Sequence, residues 1–166
     1  IPKSNILGKP GHGFKHFLKT LTIGRISISA LALGTAVGAY ELALKYSNER
    51  EAFGKKINSF QAIGFKLADM ITQISAARQL IYHAAWLKDK GKDVVKDAAI
   101  AKLFSSEVAM KITTDAIQIH GGYGYIEDYH VERFFRDAKI LEIGEGTSEV
   151  QRMVISREIL KSYSLT

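Results

Sequence analysis

The segment Ile143-Gly144-Glu145-Gly146-Thr147-Ser148-Glu149 sets one acid between two glycines at the start of a helical stretch. Flanking glycines let a backbone approach a ligand closely while the carboxylate points into a cavity. A carboxylate kept from water becomes a stronger base toward a weakly acidic C–H. A plainer reading stands beside this one: Thr147 or Ser148 as a helix cap, with Glu145 and Glu149 answering the positive end of the helix dipole. Other arrangements carry less chemistry. Glu127-x-x-His130 has the spacing of a di-iron ligand pair, but such a site needs a second copy and two further Glu on facing helices. Gly8 to Lys15 lacks the Gly-Lys-Ser/Thr ending of a phosphate-cradling loop. His12, His16, His83, His120 and His130 show no metal-ligand spacing, so no metal site is expected.

Holding Glu145 in place requires a scaffold, and the periodicity is helical almost throughout. From Phe14 to about Asn48 the chain is rich in Ala, Leu and Ile without Pro, which predicts a short helix followed by a long one, with Gly24, Gly34 and Gly38 at points of tight packing. The stretch from Asn48 to Asn58, with Phe53-Gly54-Lys55-Lys56, reads as a loop, and Asn58-x-x-Gln61 as a capping box. Ile63, Leu67, Ile74, Ala77, Ile81 and Ala84 then mark one face of a helix that ends near Lys90-Gly91. Asp93 caps the next, in which Ala98, Ala101, Ser105, Ala109, Ile112, Ala116 and Ile119 keep the period up to Gly121-Gly122. Two shorter helices follow, over about 129–138 and 147–161. Three long helices and a composite fourth, joined by short connections, predict an all-α, up-down-up-down four-helix bundle. Helices of that length leave faces uncovered, so oligomerisation is expected.

The composition agrees with one packed domain. The chain has 166 residues, 46% apolar and 24% charged, with 2 Pro and no Cys, which excludes disulfide-stapled, collagen-like and disordered classes as well as any thiolate chemistry. The longest charge-free stretch, Ile26 to Tyr40, has 15 residues, short of the roughly 20 a membrane span needs, so the chain reads as soluble with no membrane partner. The net charge is +6, but Lys3, Lys9, Lys15, Lys19 and Arg25 supply most of it from a stretch with no acid. With no basic-aromatic motif beside it, that excess suits a small polyanionic ligand better than nucleic acid.

Five motifs occur in order: Asn48-Glu49-Arg50-x-x-Phe53-Gly54-Lys55; Gln61-Ala62-Ile63; Gln118-Ile119-His120-Gly121-Gly122-Tyr123-Gly124-Tyr125; Glu132-Arg133-x-x-Arg136-Asp137-Ala138; and Glu145-Gly146-Thr147-Ser148-Glu149-Val150-Gln151-Arg152. Together they resemble the C-terminal helical domain of the acyl-CoA dehydrogenase family. The resemblance implies that residues 1–13 are a linker from a middle β-domain, that residues 14–166 form the bundle, and that the chain is a fragment of a longer enzyme. It implies FAD as cofactor, an acyl-CoA substrate, an electron-transfer flavoprotein as electron acceptor, and a homo-oligomer, most simply a tetramer. It also implies a cytoplasmic location, or the mitochondrial matrix if the source is eukaryotic.

By the same resemblance, Glu145 matches the base that removes the α-proton of the thioester while the β-hydrogen leaves as hydride to flavin. Some family branches place the base just before an Arg that resembles Arg25; this chain has Gly24 there, which leaves the role to Glu145. Arg50, Phe53 and Gln61 match FAD contacts made across a subunit boundary. Gln118, Gly121 and Gly122 match a second cofactor-contacting stretch, and Thr147 and Glu149 match residues beside the flavin. Arg25 and Gly146 match positions on the substrate side, while Arg136-Asp137 reads as a structural ion pair. A different class of reading is an oligomerisation or scaffold bundle derived from the same family and catalytically silent.

Overall fold

A row of small side chains decides how the first helix packs. Residues 25, 29, 32, 36, 39, 43 and 47 are Arg, Ser, Ala, Ala, Ala, Ala and Ser, and all are buried. In the computed structural model, which describes residues 1–163, they line one face of α1 (Gly13–Glu49). The facing helix, α3 (Val95–His120), carries the matching row Ala98, Lys102, Ser105, Ala109, Ile112, Ala116 and Ile119, also buried. Steps of three and four residues on both helices give the 3.5-residue repeat of a left-handed helix pair, and small side chains let the two backbones come close. At one end of this seam Arg25 and Lys102 feel each other's charge, and at the other the Tyr46 ring stacks on His120 at 4.2 Å. Helices α1 and α3 therefore run parallel, as the diagonal of the bundle.

The remaining positions are filled by antiparallel neighbours. Helix α2 (Gln61–Asp89) meets α3 through Lys66 and Asp115, 2.6 Å apart, at one end, and through His83 and Asp97, 3.9 Å apart, at the other. The fourth position is shared by α4 (Val131–Ile143) and α5 (Ser148–Tyr163). Phe134 lies against Gly38 and Glu145 against Gly24, so α4 runs antiparallel to α1. Arg152 pairs with Glu107 at 2.6 Å, and α5 continues antiparallel to α3, with Glu107 beside Thr147 and Ser148 and Leu103 beside Ile155 and Ile159. Met70, Ile74, Ile112, Val131 and Leu141 join the alanine rows in one apolar core. This is the all-α, up-down-up-down four-helix bundle that the periodicity predicts.

Several local expectations are corrected. Helix α1 is one unbroken element of 37 residues rather than a short helix and a long one. It contains an 18-residue window of mean hydropathy 1.4, long and apolar enough by those measures to cross a membrane. Gly24 and Gly38 do lie at tight packing, against the Glu145 and Phe134 side chains, but Gly34 does not, with no atom within 4 Å of where its Cβ would sit. The stretch 48–58 is not a plain loop: β1 (Glu51–Ala52) and β2 (Lys55–Lys56) form a two-residue-loop hairpin. Phe53 at φ +54° and Gly54 at φ +78° supply the left-handed pair that such a tight turn demands.

The capping box is absent. Asn58 lies in a 3₁₀ turn, Ile57–Ser59, and its Nδ2 donates to Asn48 Oδ1 at 2.7 Å, while α2 starts at Gln61 behind Phe60. Asp93 does cap α3, its Oδ1 accepting the Val95 N–H at 3.0 Å. Arg136 pairs with Glu132, at 2.7 and 3.2 Å, instead of Asp137. Residues four apart share a helix face and sequential neighbours do not.

Candidate functional site

The composite fourth helix is broken where Glu145 stands. Helix α4 closes with the Gly144 N–H donating to the Ile140 carbonyl at 2.7 Å, and α5 opens with the Gln151 N–H donating to the Thr147 carbonyl at 2.9 Å. Thr147 Oγ1 also accepts, at 3.4 Å, from the Val150 N–H, the third residue of the new helix. Between the two ends the chain passes through Glu145 at φ +56° and Gly146 at φ +93°. The left-handed conformation costs a non-glycine residue about 1–2 kcal/mol, so something must hold Glu145 in it. At Gly146 a side chain is disfavoured by the positive φ and by a Cβ that would lie 2.8 Å from Gln151 Nε2.

This turn carries the Glu145 side chain across to α1. A Cβ added at Gly24 would stand 2.6 Å from Glu145 Oε2, so the absence of a side chain at 24 is what gives the carboxylate its place. Position 24 and the Glu145 carboxylate thus meet at a single point. Glu145 Oε2 is buried and has no hydrogen-bond partner, and neither has the buried Nε of Arg25, the residue after Gly24. Arg25 is 6% exposed. Burial weakens its guanidinium's hold on the proton, and the Glu145 charge restores part of it. Among the described residues no direct ion pair joins the two. Glu149, on the first turn of α5, is exposed, and its own backbone N–H holds its carboxyl below the ordinary range.

A second group forms at the C-terminal end of α1. Arg50 ends α1, and its guanidinium lies over the Tyr123 ring, 5.3 Å from the centroid. Gly121 ends α3 at φ +60°, and with Gln118, Gly122, Tyr46 and His120 it lines a cleft of about 540 Å³. No atom stands within 4 Å of a would-be Cβ at either glycine, so their backbone faces open space. Burial pushes the His120 pKa below its ordinary value; its Nδ1 lies 2.8 Å from the Ala116 carbonyl. Phe53, at the hairpin tip, is 95% exposed and stands T-shaped to Phe60, at 6.1 Å between centroids. Gln61 opens α2 and is exposed. Arg50 and the bare backbone of Gly121 and Gly122 at this cleft, with Phe53 and Gln61 outside its lining, are chemically suited to the diphosphate and adenine of a dinucleotide.

The predicted residues thus fall into two groups: Glu145, Gly146, Thr147, Glu149 and Arg25 in one, and Arg50, Phe53, Gln61, Gln118, Gly121 and Gly122 in the other. At 1.5 Å per residue, the 25 steps of α1 from Arg25 to Arg50 span about 37 Å.

Comparison with known proteins places this geometry. Residues 11–160 match the C-terminal domain of acyl-CoA dehydrogenases. The chain belongs to the acyl-CoA dehydrogenase family. It is 58% identical over 161 residues to the probable acyl-CoA dehydrogenase YngJ of Bacillus subtilis (strain 168), covering 97% of this chain and 42% of that protein. The three-dimensional structure of butyryl-CoA dehydrogenase from Megasphaera elsdenii superposes with a TM-score of 0.95 at 54% identity, over 96% of this chain and 42% of that one. A chain solved in work on the electron transferring flavoprotein of Acidaminococcus fermentans superposes equally well, with a TM-score of 0.95 at 57% identity over 96% of this chain and 42% of its own. The chain therefore spans about two fifths of the length of these relatives.

Within this acyl-CoA dehydrogenase domain two residues were not legible as part of the site. Lys102 on α3 is fully buried, and its Nζ donates to the Gly146 carbonyl at 2.8 Å. Gln151 on α5 is equally buried, and its Nε2 donates to the Gly146 carbonyl at 2.8 Å and to the Glu145 carbonyl at 3.2 Å. Gln151 lies inside the fifth motif, which gave a signal without a role. Lys102 sits in an apolar stripe, where a lone lysine has no recognisable spacing to anything.

Proposed function

We propose that the chain is the C-terminal domain of an FAD-dependent acyl-CoA dehydrogenase, and that Glu145 takes the α-proton of an acyl-CoA thioester as the β-hydrogen departs as hydride. The observation that carries this is the buried, unpartnered Glu145 Oε2, pressed into the gap left by Gly24. A buried polar atom without a partner costs about 1–3 kcal/mol, and such groups persist where a ligand completes them. A carboxylate in that state, on a turn between two glycines, is placed to accept a proton from a substrate carbon held beside it. Gly146, bare on its Cα, lets the chain pass close to the thioester, and Arg25 supplies positive charge behind the carboxylate. The exposed lysines at 3, 9, 15 and 19 would surround the CoA phosphates.

FAD, when bound, supplies the acceptor for the hydride. Thr147 and Glu149 would face its reactive end, and Arg50, Phe53, Gln61, Gln118, Gly121 and Gly122 its diphosphate and adenine. Groups about 37 Å apart along one helix do not meet on one cofactor molecule, which supports a cofactor shared between copies of the chain in a homo-oligomer, most simply a tetramer. The electrons would then pass to an electron-transfer flavoprotein, in the cytoplasm or, in a eukaryote, the mitochondrial matrix.

The test is Glu145→Gln in the full-length protein. The variant is expected to keep stoichiometric FAD and bind acyl-CoA, with anaerobic flavin bleaching slowed by at least 10²- to 10⁴-fold, the usual contribution of a positioned base. Bleaching at the wild-type rate would remove Glu145 from the chemistry. No bleaching in the wild type itself would favour the catalytically silent scaffold.

A further inference from the structure

Glu145 occupies a backbone conformation that costs free energy, and two buried side chains from different helices converge on the turn that contains it. Lys102 reaches the Gly146 carbonyl from α3, and Gln151 reaches the same oxygen from α5, both at 2.8 Å. Gln151 also holds the Glu145 carbonyl at 3.2 Å. These bonds hold the two peptide units on either side of the Gly146 Cα, and so fix the φ and ψ of Gly146 and the orientation of the peptide that leaves Glu145. We propose that Lys102 and Gln151 form a clamp on the break between α4 and α5 that holds the Glu145-Gly146 turn and so aims the Glu145 carboxylate at the substrate, making them positioning residues for proton removal.

The chemistry of both residues favours this role over packing. Lys102 is buried without a carboxylate partner among the described residues, an arrangement that stability alone disfavours. Burial pushes its pKa down, with the charge of Glu142 opposing in part. A cation that gains no ion pair is here spent on a neutral carbonyl. Gln151 shows the same bias. Its amide nitrogen serves two carbonyls, while its Oε1 is left buried and unpartnered, so the side chain is kept for donation. A leucine or methionine would fill either space at lower cost, but neither donates a hydrogen bond.

This inference rests on the assignment of Glu145 as the base, and its test separates the two. In the full-length holoenzyme, Lys102→Met and Gln151→Leu remove the donors and keep the bulk. Each is expected to retain flavin and acyl-CoA affinity while the rate of flavin reduction at saturating acyl-CoA falls about 10²-fold, the usual consequence of an ångström-scale displacement of a reacting group. The kinetic isotope effect from α-deuterated acyl-CoA should exceed that of the wild type, because proton removal has become the slow step. Gln151→Glu, matched in size but with an acceptor in place of the donor, should behave like Gln151→Leu, and Lys102→Arg should recover part of the rate.

Wild-type reduction rates per bound flavin in Lys102→Met and Gln151→Leu overturn the clamp, and so does loss of flavin or lowered Tm with the rate per bound flavin unchanged. Should Lys102→Met not fold, Gln151→Leu and Gln151→Glu decide alone. Glu145→Gln is measured alongside. If it reduces flavin normally, the base assignment fails first; if it is inactive while the clamp variants are normal, only the clamp fails.

Discussion

Gly24 offers a test of the site that adds no new functional group. A Cβ there would stand 2.6 Å from Glu145 Oε2, the far end of a flexible side chain that can swing aside. Gly24→Ala should therefore leave the bundle intact, and Ala is worth roughly 0.5–1 kcal/mol over Gly in a helix interior. The turnover of the full-length enzyme is expected to fall about 10²-fold because the carboxylate has lost its place. Thermal unfolding and steady-state kinetics on the same sample check both halves; unchanged turnover would mean that the carboxylate is not used where it stands. At this scale the sequence was informative where chemistry leaves a pattern. Glu145 stood out between its two glycines, although a helix cap explained the segment as well and only the motif it opens pointed to a base. Lys102 was not, because its partner is a backbone carbonyl 44 residues away and carbonyls have no sequence signature.

At the scale of elements, the hairpin between α1 and α2 spends conformational energy on an exposed ring. Phe53 is held at φ +54° in a turn that favours Asn, and inside this chain its ring stands T-shaped to Phe60. In Phe53→Asn, release of about 1–2 kcal/mol of backbone strain is offset by loss of an aromatic contact worth about 0.5–1.5 kcal/mol. The net change in stability should stay within about 1 kcal/mol, while FAD is lost more readily from the full-length protein. Tm and the flavin retained after gel filtration separate the two effects, and undiminished flavin would show that Phe53 has no cofactor to meet. The small-residue rows of α1 and α3 were legible as helix period. The hairpin was not: two-residue strands are too short for any alternation, and the capping spacing at Asn58 was outweighed by the Asn48 side chain lying within reach.

At the scale of the molecule, the two groups of site residues stand about 37 Å apart along one long helix. One copy of the bundle holds half of each proposed cofactor site, and the apolar side chains Phe14, Phe17, Ile23 and Leu31 are exposed along α1. The isolated chain should accordingly retain much less than one FAD per chain after gel filtration. Tight, stoichiometric FAD in the isolated chain would contradict the division of the site. The sequence could place each residue relative to a helix, but which end of the bundle each helix brings it to depends on the parallel pairing of α1 with α3, which no local pattern encodes.

The claim on which the rest depends is that Glu145 moves the α-proton. It is tested most directly by incubating full-length, flavin-replete enzyme in D₂O with an acyl-CoA analogue that carries sulfur in place of the β-carbon and so has no hydride to give. The wild type should exchange the α-hydrogen for deuterium, and Glu145→Gln should show no exchange above buffer; exchange at the wild-type rate in Glu145→Gln would contradict the account.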